Sequence, residues 1–183
     1  MSRPMEEPHG PHAHRISRMT DTTLTPGRLW KRIPPEQRYR AALAFWQDET
    51  AAAADQVQAV LLIAQQKKFR PKTVAGLDDE RKARHLASVP TLPDAIAARV
   101  LVLYHLAEQR PMMGAFLDAL GIAHENGLIQ EDNVRPDKAK VGPAATAIAN
   151  EYPVADVSIY LNTLLWQDPE TWGALQGLPE MHA

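Results

Sequence analysis

The stretch TLPDAIAARVLVLYHLAEQ, residues 91–109, decides how the rest of the chain is read. Thr91 with Asp94 three positions on makes a capping-box-like start, and Pro93 falls in the first turn, so a helix is expected from here to about Gln109. Ile96, Val100, Leu103 and Ala107 form one stripe at helical spacing, while Leu101, Val102, Tyr104 and Leu106 fill most of the remaining circumference. A helix that is apolar nearly all round is packed on several sides. It is therefore the expected central element.

Working towards the C-terminus, Pro111 opens a helix in which Met112, Phe116, Leu117 and Leu120 repeat, and Gly121 supplies a left-handed stop. The polar interval 122–140, with Asn126-Gly127, Asn133 and Pro136, reads as a loop that holds at most a short helical turn. Pro143 is expected to open the next helix, with Ala144, Ala145 and Ile148 inward. Pro153 then separates it from a segment carrying Val157, Tyr160, Leu161 and Leu164. Asp168-Pro169-Glu170 starts a last short helix with Trp172 and Leu175.

Towards the N-terminus, Asp78 caps a short polar helix running to Ser88, with acids early and bases late as the helix dipole prefers. Before it, residues 51–68 stack Ala53, Val57, Val60, Leu61 and Ala64 on one expected buried side, and Pro71 ends the segment. Pro35 begins a helix on which Tyr39, Leu43 and Trp46 share a face. Alternating strand patterns are missing, so the class is all-α. We expect a compact orthogonal bundle of roughly six to eight helices, forming a single domain over 27–183, with an irregular α-solenoid as the alternative. Residues 1–26, which hold His9, His12 and His14 among prolines, read as a disordered tail.

Composition narrows the chemistry. The 183 residues are 45% hydrophobic and 23% charged, with a formal charge of -2, which is ordinary globular usage without a generally basic surface. There is no cysteine, which removes disulfides, thiol nucleophiles and Cys-based metal sites and fits a reducing, cytoplasmic setting. No apolar run is long enough to cross a membrane, and the first 26 residues lack the apolar core of a secretory signal. His-Glu-x-x-His is absent, and Glu-x-x-His occurs at none of His85, His105 and His124. The nucleophile-elbow, phosphate-loop, dinucleotide and EF-hand signatures are also missing. No cofactor and no metal site are expected; the tail histidines, whose type binds zinc, nickel and copper, lack a rigid second shell.

Three functional readings follow. The leading one is a non-catalytic helical module that binds a protein partner or itself, with Trp30, Arg28 and Arg32 at the edge of the tail as its expected contact surface. Its charge pattern supports association, because residues 27–85 sum to +5 and residues 86–183 to -7. The second is a bundle with an interior small-molecule pocket, enzymatic or not, lined by Tyr104, His105, Met112 and Met113. A histidine in so apolar a helix, with only Arg99 and Glu108 as ionisable helix neighbours, reads first as a hydrogen-bonded core residue. The third is weak nucleic-acid binding through Lys67, Lys68, Arg70, Lys72, Arg81, Lys82 and Arg84, which surround one aromatic, Phe69. The segment 119–129 superficially matches a helix-turn-helix turn, but Gly127 stands where the second helix would need an aliphatic residue.

Overall fold

The computed structural model describes residues 24–50 and 53–182, and the architecture is all-α. The expected tail over 1–26 is too long at its end: Leu24 is buried, Thr25 caps α1 and Pro26 begins it, while the rest of that expectation, with the three histidines, lies outside the described residues. Ten α-helices run in order among the described residues: α1 (Pro26–Arg32), α2 (Pro35–Gln47), α3 (Ala53–Lys67), α4 (Pro71–Ala75), α5 (Asp79–Ala87), α6 (Asp94–Glu108), α7 (Arg110–Leu120), α8 (Lys138–Glu151), α9 (Val154–Gln167) and α10 (Pro169–Trp172). Short 3-10 turns follow over Gly173–Leu175 and Pro179–His182.

The count exceeds the expected six to eight because α1 and α4 are too short to show a periodic stripe. Both start at a proline, whose missing N–H is no loss in a first turn. In α1 the Thr25 hydroxyl also accepts from the Arg28 amide. Proline misled the reading once, at Pro143. Helix α8 begins five residues earlier, at Lys138, where the Asp137 carboxylate caps the Ala139 amide, and Pro143 lies inside the helix on its exposed side. The interval before it also differs from expectation. His124–Glu125 and Leu128–Ile129 pair as a two-stranded antiparallel hairpin, β1 and β2, with Asn126 and Gly127 at φ 49 and 80 in the turn between them. Asn-Gly with both φ angles positive is the pairing that tight hairpins favour. The hairpin replaces part of the loop expected over 122–140 and leaves no recognition helix there, in line with the objection that Gly127 raised to a helix-turn-helix.

Two apolar clusters make the core. One is built from α1, α2, α3, α5 and α6, with Trp30, Phe45, Ile63, Leu86 and Leu101 among its buried side chains. The other joins α7, α8, α9 and α10 around Met112, Phe116, Ile148, Leu161 and Trp172. Helix α6 touches α1, α2, α3, α7 and α9, the central position its all-round apolar sequence implied. Its start is not the anticipated capping box. Asp94 accepts instead from the Gly27 amide at 2.8 Å, tying α1 to α6 across 67 residues. The approach is close: a Cβ on Gly27 would lie 2.5 Å from the Leu92 carbonyl oxygen and 2.9 Å from Asp94 Oδ1.

Helix α3 buries Ala59, Ile63 and, from the expected stripe, Ala64, with Val60 half-buried against the core; the rest of that stripe faces outward, Val57 at 54% and Leu61 at 44% exposure. Residues 59–64 are apolar at six consecutive positions and so go round the whole helix, which is why spacing does not distinguish its faces. Ala59 and Ala64, being small, let it lie close against its neighbours.

Candidate functional site

The residues expected to line an interior pocket are packed solid. Tyr104, His105 and Met112 are almost fully buried and Met113 is buried, with the methionines in the second cluster and Tyr104 in the first. His105 stands between the clusters, its ring 5.7 Å from that of Tyr104 and 5.5 Å from that of Tyr160. His105 Nε2 lies 3.3 Å from the Thr163 hydroxyl, which itself donates to the Ile159 carbonyl at 2.7 Å. A hydroxyl whose proton is already committed accepts, so His105 carries its proton on Nε2. Nδ1 has no partner among the described residues. Complete burial pulls its pKa down to about 3, which holds the imidazole neutral.

Around it runs a chain of satisfied polar groups. The Tyr104 hydroxyl donates to Asp156 Oδ1 at 3.0 Å and accepts from Gln109 Nε2 at 3.1 Å. Arg40 lies over the Tyr104 ring, 5.7 Å from its centroid, and pairs with Glu108. Burial first, then the nearby Asp156 charge, pushes the Tyr104 phenol well above its ordinary value, so it remains a proton donor to the carboxylate. This network joins α2, α6 and α9. It fills the interface between the clusters, and the clefts described below are lined by other residues.

The basic patch divides into two chemically different parts. On α5, Arg81, Lys82 and Arg84 each face an acid one turn earlier, at Asp78, Asp79 and Glu80, with separations of 3.3 to 3.4 Å. Lys67, Lys68, Arg70 and Lys72 are exposed and have no ion pair among the described residues. The free cations therefore gather at the end of α3 and the start of α4. Beside them a groove of about 440 Å³ opens between α3, α4 and α5, with Val57, Val60 and Leu61 on one wall, Trp46 at its base and Lys72 and Lys82 at its edge. Lys82 Nζ sits 5.3 Å from the centroid of the Trp46 ring. Phe69 is 42% exposed and edge-on to His85.

Trp30 is not a surface anchor. It is fully buried, and its indole N–H donates to the Val89 carbonyl at 3.0 Å. Its bulk closes the first cluster at the edge of α1. Its neighbours Arg28 and Arg32 remain exposed, lie without ion pairs among the described residues, and border a separate cleft of about 160 Å³ between α1, α9 and the C-terminal turns.

Among residues that the sequence did not single out, Asp156 is the most informative. It reads as an ordinary first-turn acid of α9, yet it is buried, and only its place in an otherwise apolar segment hints at a hydrogen-bonding partner. Arg40, Gln109 and Asn162 gave no such signal, because their partners are brought near by the fold alone. Among the described residues no helix is long and apolar enough to cross a membrane, and no three His, Asp or Glu side chains are grouped to hold a metal ion. Comparison with protein-family models, with curated proteins and with solved structures finds no match to this chain.

Proposed function

We propose that this chain is a non-catalytic interaction module, one helical domain over 27–183, that holds an acidic amphipathic helix of a protein partner in the groove between α3, α4 and α5. The observation that carries this reading is an exposed aliphatic wall, Val57 and Leu61 one turn apart, in a groove that Lys72 borders, with the exposed and unpaired Lys67, Lys68 and Arg70 close to Lys72 in the chain. A groove with an apolar wall suits a helix presenting side chains at i, i+3, i+4 and i+7. The cations select for acidic flanks and raise the encounter rate at low salt. The absence of cysteine from the sequence is in keeping with work in the cytoplasm.

The test is fluorescence anisotropy with a labelled synthetic peptide carrying leucines at those spacings and glutamates on its other face, beside a lysine-rich peptide of the same apolar pattern. Val57→Asp and Leu61→Asp alter exposed positions, so their circular dichroism is expected to match the parent while the acidic peptide binds roughly tenfold or more weakly. Equal binding by these variants, or equal binding of the lysine-rich peptide, overturns the proposal. A salt-sensitive dimer that forms unchanged in Leu61→Asp, with no peptide binding, would mean that the molecule associates with itself through another face.

A further inference from the structure

We propose that the hairpin β1–β2 and the polar segment after it form a second interaction surface, acidic and apolar, whose partner is the groove between α3, α4 and α5 on another copy of this chain. Copies then join head to tail, and a neighbour's hairpin competes with a partner helix for the same groove. This rests on the reading of that groove as a seat for acidic, apolar segments.

The hairpin is fixed from its inner side. Gly127 packs so closely on α7 that a Cβ there would lie 2.8 Å from the Arg110 carbonyl oxygen and 2.9 Å from Met113 Cβ. Its amide donates to His124 Nδ1 at 3.1 Å, and Arg110 Nη1 donates to the Asn126 carbonyl at 3.3 Å. His124 Nε2 also faces Asp118 on α7 at 3.1 Å. None of these anchors uses the side chains of β2. Leu128 and Ile129 are exposed and belong to neither apolar cluster, so folding leaves them uncovered. Successive strand residues point to opposite faces, which gives β2 an aliphatic side chain on each side. That shape is a wedge, suited to a groove rather than to a flat face.

Charge matches the two surfaces to each other. Glu125, Glu131 and Asp132 flank the aliphatic pair, are exposed, and have no ion pair among the described residues. Over 118–137 the acids Asp118, Glu125, Glu131, Asp132 and Asp137 stand against a single base, Arg135. The groove has the opposite sign: Val57 and Leu61 are its exposed wall and Lys72 its border, with unpaired Lys67, Lys68 and Arg70 nearby in the chain. Opposite charge draws the surfaces together and apolar contact holds them, so the bond weakens as salt rises. Two aliphatic residues a side make a small contact, of the weak and transient class. The hairpin rides on α7 in the second cluster, whereas the groove belongs to helices of the first. The interface is therefore heterologous, and growth continues past a dimer unless a ring closes.

Sedimentation velocity of the full chain over a concentration series, at low and at moderate salt, provides the test. We expect the sedimentation coefficient to climb past that of a dimer at low salt and to fall back at moderate salt. Leu61→Asp spoils the groove, and Glu131→Lys/Asp132→Lys reverses the charge beside the hairpin; both change exposed positions. Each variant alone should associate at least tenfold more weakly than the parent. Mixed in equal amounts they share one intact groove and one intact hairpin, so the mixture should form a dimer of one copy each and stop there. A parent that stays monomeric at millimolar concentration and low salt overturns the inference. So does association unchanged in either variant, or a mixture that stays monomeric where the parent associates. The acidic peptide separates this inference from the reading of the groove: Glu131→Lys/Asp132→Lys should bind it at least as tightly as the parent does. Peptide binding by a chain that never self-associates removes the second copy and keeps the partner helix. Head-to-tail association without peptide binding keeps the hairpin and removes the helix.

Discussion

His105 makes the stability of the whole fold sensitive to acid. Folded, it stays neutral down to about pH 3; unfolded, it takes up a proton near pH 6.5, so between these values the unfolded chain binds more protons. Its contribution is intact above about pH 6.5 and is lost as pH falls towards 3, at about 1.4 kcal/mol per pH unit where the unfolded histidine is protonated and the folded one is not. Urea unfolding at stepped pH should show this slope, and His105→Gln should flatten it while lowering stability at pH 7. The role of His105 was legible in sequence, since its apolar neighbours left it nothing to do but pair inside the core. Trp30 was not, because its acceptor on Val89 lies 59 residues away and no local pattern reports it. The same distance hid Asp156, whose donor Tyr104 is 52 residues off.

Among the elements, α5, α6 and α7 were readable to within a few residues, because Asp78 caps α5, α6 is apolar nearly all round, and α7 joins an apolar stripe to a glycine stop. Helix α7 ends at Gly121 with φ 71, as its glycine foretold. Helix α3 is harder to place: residues 59–64 are apolar all round, and only the packing of α4, α5 and α6 against it selects Ala59 and Ile63. That one rotation puts Val57 and Leu61 outside and creates the groove, so the candidate site could not be found before the fold. Two expectations belong at this scale. Gly27→Ala would drive a methyl into the Leu92 carbonyl, displacing α1 and breaking its bond to Asp94; thermal unfolding should report a loss of about 2 to 4 kcal/mol. Pro143→Ala acts in the opposite direction. It restores an amide donor inside α8 at an exposed position, and after the entropy gained by the unfolded chain is set against this, we expect denaturant melts to show about 2 kcal/mol of stabilisation.

Across the whole molecule, α6 and α9 couple the two clusters through the Tyr104–Asp156 bond and the rings around His105. Leu103, on the central helix and 2% exposed, should therefore matter to both. Leu103→Ala is expected to cost about 2 to 5 kcal/mol, and helix loss followed by circular dichroism should stay a single transition rather than split in two. The basic half anticipated from charge sums is real in the chain, but its α5 cations are neutralised locally, which leaves two unpaired groups among the described residues, Arg28, Lys31 and Arg32 on α1 and Lys67, Lys68, Arg70 and Lys72 from the end of α3 to α4. The four tryptophans sit in four different surroundings. Trp46 forms the base of the groove under a lysine, Trp30 is sealed beside α1, Trp172 lies in the second cluster, and Trp166 is 36% exposed. Indole emission responds to nearby charge and water, so chains keeping one tryptophan each would glow as separate local reporters: Trp46 for a guest in the groove, Trp30 for detachment of α1, and Trp172 for loosening of the far cluster.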